Sequence, residues 1–206
     1  MPTMSILEVL LCRGGPWRWL SRRMLPWSTQ GLTLAGEVLE IGGGSGAMAA
    51  ELARTNPHVR LTMTDLDPTM VRAARHRFAH LPHATAQQAD ATHLPYDNES
   101  FDVVMSFLML HHVVHWESAV NEASRVLRPG GLFLGYDLVA SRLTSLTHLA
   151  NRSPHRLIER GALEPVLAQA GFQTIAVRYS LCERVMRFAS CKAHNSSAAD
   201  QNPALT

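Results

Sequence analysis

Glu37-Val-Leu-Glu-Ile41 runs directly into Gly42-Gly-Gly-Ser-Gly46, and Ala47 to Arg54 then carries a helical pattern. A short apolar run that stops on glycines and resumes as a helix reads as strand, tight turn, helix. Glycines at 42, 44 and 46 let backbone approach a ligand where any Cβ would collide. The same grammar repeats downstream. Val59-Arg-Leu-Thr-Met-Thr64 alternates and is rich in β-branched residues, as a strand requires. Asp67-Pro68 then supplies a side-chain N-cap and a proline at the first helical position. The helix behind it sets Met70, Val71, Ala74 and Phe78 on one face.

Ala84 to Ala89 is a weaker strand, and Phe101-Asp-Val-Val-Met-Ser-Phe107 is apolar enough to be central. Trp116 to Leu127 reads as a helix closed by Arg128-Pro129-Gly130-Gly131, followed by a strand at Leu132-Phe-Leu-Gly-Tyr136. Gly161 to Ala170 is helical up to Gly171, and Phe172 to Tyr179 with Arg184 to Ser190 makes a closing hairpin. Strands alternating with helices specify an α/β fold with a mostly parallel sheet covered on both faces.

Outward from this core, the composition bounds the rest. The 206 residues predict one domain with a small extension. Residues 1–35 hold four arginines and Trp17, Trp19 and Trp27, and read as an N-terminal extension or lid. Residues 36–191 are the ligand-binding domain, and the small, polar stretch 192–206 reads as a mobile tail. A chain that is 46% hydrophobic and 17% charged is globular rather than disordered. No apolar run reaches the length of a membrane span. Ile6 to Cys12 is short, interrupted by Glu8 and without a preceding basic region, so it makes a poor signal peptide. Cys12, Cys182 and Cys191 have no metal-type spacing and an odd count, which fits reduced thiols and a cytoplasmic location. A net charge of +2 gives no footing for nucleic acid.

In an open parallel sheet the ligand lies at the carboxyl ends of the strands, beside the point where strand order reverses. Polar features stand at three successive strand ends. They are the glycine turn, Asp65 with its capacity for two hydrogen bonds from a ribose diol, and Asp90, placed to accept from an adenine amino group. The glycines follow G-x-G-x-G, and Ala47 stands three residues after Gly44, where a dinucleotide fold wants its last glycine. Glu40, two residues before Gly42, would repel a pyrophosphate and attract a cation. S-adenosylmethionine carries an ammonium and a sulfonium and no phosphate, so charge favours it over a nicotinamide dinucleotide.

Val38 to Gly46, Thr64-Asp-Leu-Asp-Pro68, Asp90-Ala-Thr-His-Leu-Pro95, Ser100-Phe-Asp-Val-Val104 and Arg125-Val-Leu-Arg-Pro-Gly-Gly131 together resemble the class I S-adenosylmethionine-dependent methyltransferases, in that family's order and spacing. The resemblance covers residues 36–138 firmly and 155–190 more loosely, through Ala170-Gly-Phe172. It implies a Rossmann-like, doubly wound, seven-stranded sheet in the order 3-2-1-4-5-7-6 with strand 7 antiparallel. It also implies that Glu40 lies near the donor's amino group and that Gly42, Gly43, Gly44 and Gly46 line its methionine and ribose portions. Asp65 would bind the ribose, Leu66 would pack on adenine, and Asp90 with the Ala91 backbone would read the adenine edge. Phe107 would lie against the donor. Gly43 departs from the cysteine or proline common in the family, with no functional consequence expected.

Less is specified on the acceptor side. Leu110-His111-His112-Val113 follows the fourth strand, and either imidazole is a candidate base or substrate contact. His115 adds a third, but the trio is not read as a metal site. Tyr136 and Asp137, ending the fifth strand, are candidate substrate contacts in the same cleft. Trp17, Trp19 and Trp27 with Leu20, Met24 and Leu25 suit a lid. Gly14, Gly15, Pro16 and Pro26 argue against one long amphipathic helix on a lipid surface. The expected activity is methyl transfer to an O, N or C nucleophile of a small molecule. The alternatives are a donor-binding protein without transferase activity and a nicotinamide-dependent oxidoreductase. The acceptor and the oligomeric state are not legible.

Overall fold

A computed structural model describes residues 23–141 and 155–194. Residues 23–29 are helical (α1) and precede β1 (Glu37–Ile41), α2 (Ala47–Thr55), β2 (Arg60–Asp65), α3 (Pro68–Arg77) and β3 (Ala84–Gln88). There follow β4 (Phe101–Phe107), a 3-10 turn (Leu110–His112), α4 (Trp116–Val126), β5 (Leu127–Leu138), α5 (Leu163–Gln169), β6 (Phe172–Ser180) and β7 (Val185–Lys192). The strands form one seven-stranded sheet in the order β3-β2-β1-β4-β5-β7-β6. All neighbours are parallel except β5–β7 and β6–β7, so β7 alone is antiparallel.

Period-2 alternation sorts the apolar residues of the central strands onto two faces. Val38, Leu61, Met63, Val103, Met105 and Leu134 pack under α2 and α3, joined by Leu25 of α1 and by Leu34. Leu39, Ile41, Val104 and Phe133 face the other way, against Trp116, Ala119, Val120 and Ala123 of α4 and Leu163 and Leu167 of α5. Each fully buried aliphatic side chain contributes roughly 1.5–3 kcal/mol, and this two-sided burial explains why β1 and β4 read as nearly continuous apolar runs. Local signals also agree with the fold. Asp67 caps α3 by accepting from the Thr69 amide at 2.7 Å, with Pro68 next in the first turn.

Several boundaries differ from the sequence reading. Leu127 caps α4, its amide donating to Ala123 O, and is at once the first residue of β5, paired with Phe101. The chain then bulges through Arg128 to Gly131, with Gly130 at φ 79°, before Leu132 rejoins the ladder opposite Val103. The Arg128 guanidinium anchors the bulge on Asp102 at 2.7 Å. α5 is shorter than the expected 161–170. The polar tail begins later than residue 192, because Lys192 belongs to β7 and its Nζ donates to the Leu127 carbonyl at 2.7 Å. The Ala193 amide donates to Gly171 O. Pro26 lies inside the helical segment 23–29 rather than interrupting it. Cys12, Trp17, Trp19, Leu20 and residues 195–206 lie outside the described residues. Among the described residues, no helix is long and apolar enough to cross a membrane.

Candidate functional site

Strand order reverses between β1 and β4, which opens the crevice at the carboxyl ends of these strands. The glycine turn occupies it. Gly42 and Gly44 both take the left-handed conformation, at φ 63° and 57°, but for different neighbours. A Cβ on Gly42 would overlap the Met109 side chain, which packs onto the turn from the segment after β4. A Cβ on Gly44 would meet nothing within 4 Å. Gly42 therefore closes the turn against the protein, and Gly44 presents bare backbone to open space. The Gly43 amide donates to Thr64 O, and Gly46 is the N-cap of α2. The Gly44 amide donates to Asp65 Oδ2 at 2.8 Å, tying the turn to the end of β2.

Glu40 lies beneath this turn, 1% exposed, with its Oε2 lacking any partner. Burial, reinforced by the charge of Asp65, pushes its carboxyl from 4.5 up to about 8. The sequence reading treats Glu40 as a fixed negative charge. In the folded chain that charge is held back near neutrality until a cation offsets the desolvation. Asp65 is also raised by burial, opposed by the amides of Asp67 and Gly44 that donate to it. Leu66 stands 46% exposed beside it, an apolar side chain with an uncovered face. Asp90 sits just beyond β3, where its Oδ1 accepts from both the amide and the hydroxyl of Thr92 at 2.8 Å. Ala91 lies between them, half-buried. The Gln88 amide donates to Leu66 O, fastening the ends of β3 and β2 together. Glu40, Asp65 and Asp90 thus come from three adjacent strand ends.

The other side of the crevice is aromatic. Phe107 stacks on Tyr136 at 5.3 Å between centroids, and Trp27 of α1 meets Tyr136 edge-on at 5.4 Å. Burial, with the charges of Glu40 and Asp137, raises the Tyr136 phenol far above its ordinary value. Leu108 takes φ 53°, a strained turn for a residue with a Cβ, and its amide donates to Tyr136 O at 2.9 Å.

Tyr136 and Asp137 point to opposite faces of the sheet, as successive strand residues do. Tyr136 points to the α1 face. Asp137 points to the other, 0% exposed, where its Oδ1 accepts from His111 Nδ1 and from the Leu138 amide. Its Oδ2 has no partner. His111 is itself only 2% exposed, so the pair is enclosed by the protein. The His112 ring lies 4.0 Å from that of His111. His115 is exposed at the start of α4, and the described residues contain no group of three or more potential metal ligands. Three contacts escaped sequence reasoning: the Asp137–His111 pair, Trp27 on Tyr136, and Arg187 on Trp27. All three depend on strand pairing and chain packing across long separations, and no local motif announces them.

Residues 39–135 match the family described as Methyltransferase domain. The chain is 32% identical over 151 residues to malonyl-[acyl-carrier protein] O-methyltransferase of Geobacter sulfurreducens, covering 68% of this chain and 57% of that protein. It is 34% identical over 115 residues to demethylmenaquinone methyltransferase of Tropheryma whipplei, covering 56% of this chain and 45% of that protein. It spans about half the length of the curated relatives it matches. Among solved structures, geranyl diphosphate C-methyltransferase of Streptomyces coelicolor, in complex with S-adenosyl-L-homocysteine, superposes with a TM-score of 0.74 at 13% identity, over 85% of this chain and 81% of that one. The YcgJ protein of Bacillus superposes at 0.71 and 18% identity, over 85% and 99%. At such low identity the superpositions speak for the fold alone. The matched segment runs from β1 through the glycine turn to β5, so residues 39–135 carry the methyltransferase-domain pattern on the fold that the superpositions share.

Proposed function

We propose that the chain transfers a methyl group from S-adenosylmethionine to an oxygen, nitrogen or carbon nucleophile of a small-molecule acceptor. The observation that carries this reading is Glu40. A buried carboxyl with an orphaned oxygen, roofed by a turn whose Gly44 backbone faces open space, suits an ammonium group better than any neutral or anionic ligand. The same features count against a diphosphate.

The donor, when bound, supplies a methyl group made electrophilic by a positive sulfur. The chain's residues hold and shield it. Glu40 pairs with the amino group, and Gly42, Gly43, Gly44 and Gly46 line the methionine and ribose portions. Asp65 has oxygen lone pairs left beyond its two backbone bonds and takes the ribose hydroxyls. Leu66 covers one adenine face, and Asp90 with the Ala91 backbone reads the adenine edge. Phe107 closes the inner wall. Displacement in line with the sulfur needs the nucleophile held within about 3 Å of the methyl, so positioning does most of the work. Where the nucleophile carries a proton, His111 takes it, with His112 beside it. A carboxylate only accepts, so Asp137 keeps the proton of His111 on Nδ1 and fixes the orientation of the ring. Tyr136 and Trp27 form the acceptor-side wall.

The relatives' acceptors, a malonyl group on a carrier protein and demethylmenaquinone, support small, largely carbon-based acceptors over nucleic acid. Calorimetric titration with S-adenosylmethionine and S-adenosylhomocysteine tests donor binding. Micromolar affinity is expected, and absence of binding by both overturns the reading. Isotopically labelled donor incubated with a metabolite extract then reads out transfer and identifies the acceptor by mass.

A further inference from the structure

Across the face of the sheet that carries Glu40, Phe107 and Tyr136, the next two strands outward present arginines. Tyr136 of β5 pairs in register with Arg187 of β7, and Arg187 pairs with Arg178 of β6. Directly paired residues share a face. At about 4.8 Å per strand, Arg187 lies roughly 5 Å and Arg178 roughly 10 Å sideways from Tyr136. Neither guanidinium is matched by a carboxylate among the described residues. Asp137, adjacent to Tyr136, faces the other side and is engaged by His111. Glu183, in the nearby hairpin turn, pairs with Arg160.

The arrangement is costly for stability. Like charges set opposite each other across two strands repel. Arg187 is half-buried, its Nε is enclosed without an acceptor, and desolvation together with Arg178 lowers its affinity for its proton. The side chain is nonetheless held in one orientation. Its guanidinium lies over the Trp27 ring, 4.7 Å from the centroid, and its Nη1 donates to Trp27 O. Trp27 in turn rests on Tyr136. A fixed, unneutralised arginine beside an exposed one forms a fork preorganised for an oxyanion.

We propose that Arg178 and Arg187 bind an anionic group, a carboxylate or a phosphate, carried by the methyl acceptor at the end remote from its nucleophile. This deepens the proposed function and rests on it for the identity of the ligand, since the pair lies on the acceptor side of Tyr136. It requires an acceptor with the nucleophile and the anion at separate ends, bridged by a segment that crosses Trp27 and Tyr136. A bound anion also relieves the repulsion between the two arginines.

The test is titration of the full chain at low ionic strength with inorganic phosphate and, separately, succinate, because salt screens exposed charge. Arg178→Gln, an exposed change, weakens the preferred anion about tenfold, and Arg187→Gln does so by at least as much. Affinity for S-adenosylhomocysteine stays unchanged in both. Preference for phosphate or for succinate identifies the source of the charge, and either supports the site. Equal anion binding by wild type and Arg178→Gln, or none by wild type, overturns it. Anion discrimination without S-adenosylhomocysteine binding leaves the arginine site standing and removes the methyl-transfer reading instead. Should Arg187→Gln fail to fold, Arg178→Gln alone decides.

Discussion

The two halves of the crevice are built from different materials. On the β1–β3 side the groups facing the cavity are a carboxyl, a bare glycine backbone and two aspartates, each set by a turn of a few residues: Glu40 to Gly46, Asp65 to Asp67, Asp90 to Thr92. The β4–β7 side is built from aromatic rings, imidazoles and arginines, assembled from segments far apart in the chain. His111 meets Asp137 across 26 positions, and Arg187 reaches the Trp27 carbonyl across 160. The first half is local and holds the groups proposed above for the donor. The second is non-local and holds those proposed for the acceptor. Such a division lets one half persist while the other is rebuilt for a new acceptor.

If this division is right, substitutions on the two sides separate into rate effects and affinity effects. The largest is expected at His111. His111→Gln lowers kcat by about 100-fold or more for a protonated nucleophile, the scale of losing a general base, while S-adenosylhomocysteine affinity stays unchanged. Asp137→Asn follows in the same direction, because an amide can donate to Nδ1 and so favour the other tautomer. Matched losses of rate and donor affinity would erase the distinction between the halves.

Glu40→Gln, on the donor side, weakens S-adenosylmethionine binding by about 10- to 100-fold near pH 8, as expected for losing a charge-assisted contact. It also carries a pH signature. Glu40 titrates at about 8 in the folded chain against 4.5 for an ordinary glutamate. Its contribution to stability is therefore fully present below pH 4.5 and is lost as pH rises through 8. Without ligand, the glutamine variant melts above wild type beyond pH 8, and the gap closes toward pH 4.5. Parallel melting curves across that window would mean that Glu40 is solvated.

Asp65→Ala weakens donor binding by about 1–3 kcal/mol, read by calorimetry. Part of that loss comes through the turn, since the Gly44 amide loses its acceptor. The finest test compares two glycines in one turn. Gly44→Ala costs only about 1–2 kcal/mol of stability through its left-handed φ, yet reduces donor affinity. Gly42→Ala adds the overlap with Met109 and destabilises the fold more. The reverse ranking by thermal melting would place the cavity on the wrong side of the turn.

The geometry of the β1–β3 side was legible because its signals are written in consecutive residues. Gly-x-Gly-x-Gly after an apolar run dictates a strand and a turn, and an aspartate before a proline dictates a cap. The alternation of strands and helices dictated a parallel sheet for the same reason, since period-2 and period-3.6 patterns depend on neighbours in sequence. The strand expected to begin at Leu132 shows where that reach ended, because β5 begins at Leu127, where pairing with Phe101 starts before the bulge.

Tertiary structure alone decided which face each side chain took and what met it there. Tyr136 and Asp137 look like partners in sequence and are separated by the pleat. Arg178 and Arg187 look like scattered surface charge and are brought opposite one another by an antiparallel hairpin. Glu40 looks like a plain carboxylate until the surrounding protein strips away its water. Register and desolvation are properties of the assembled sheet, so no stretch of chain could contain them on its own.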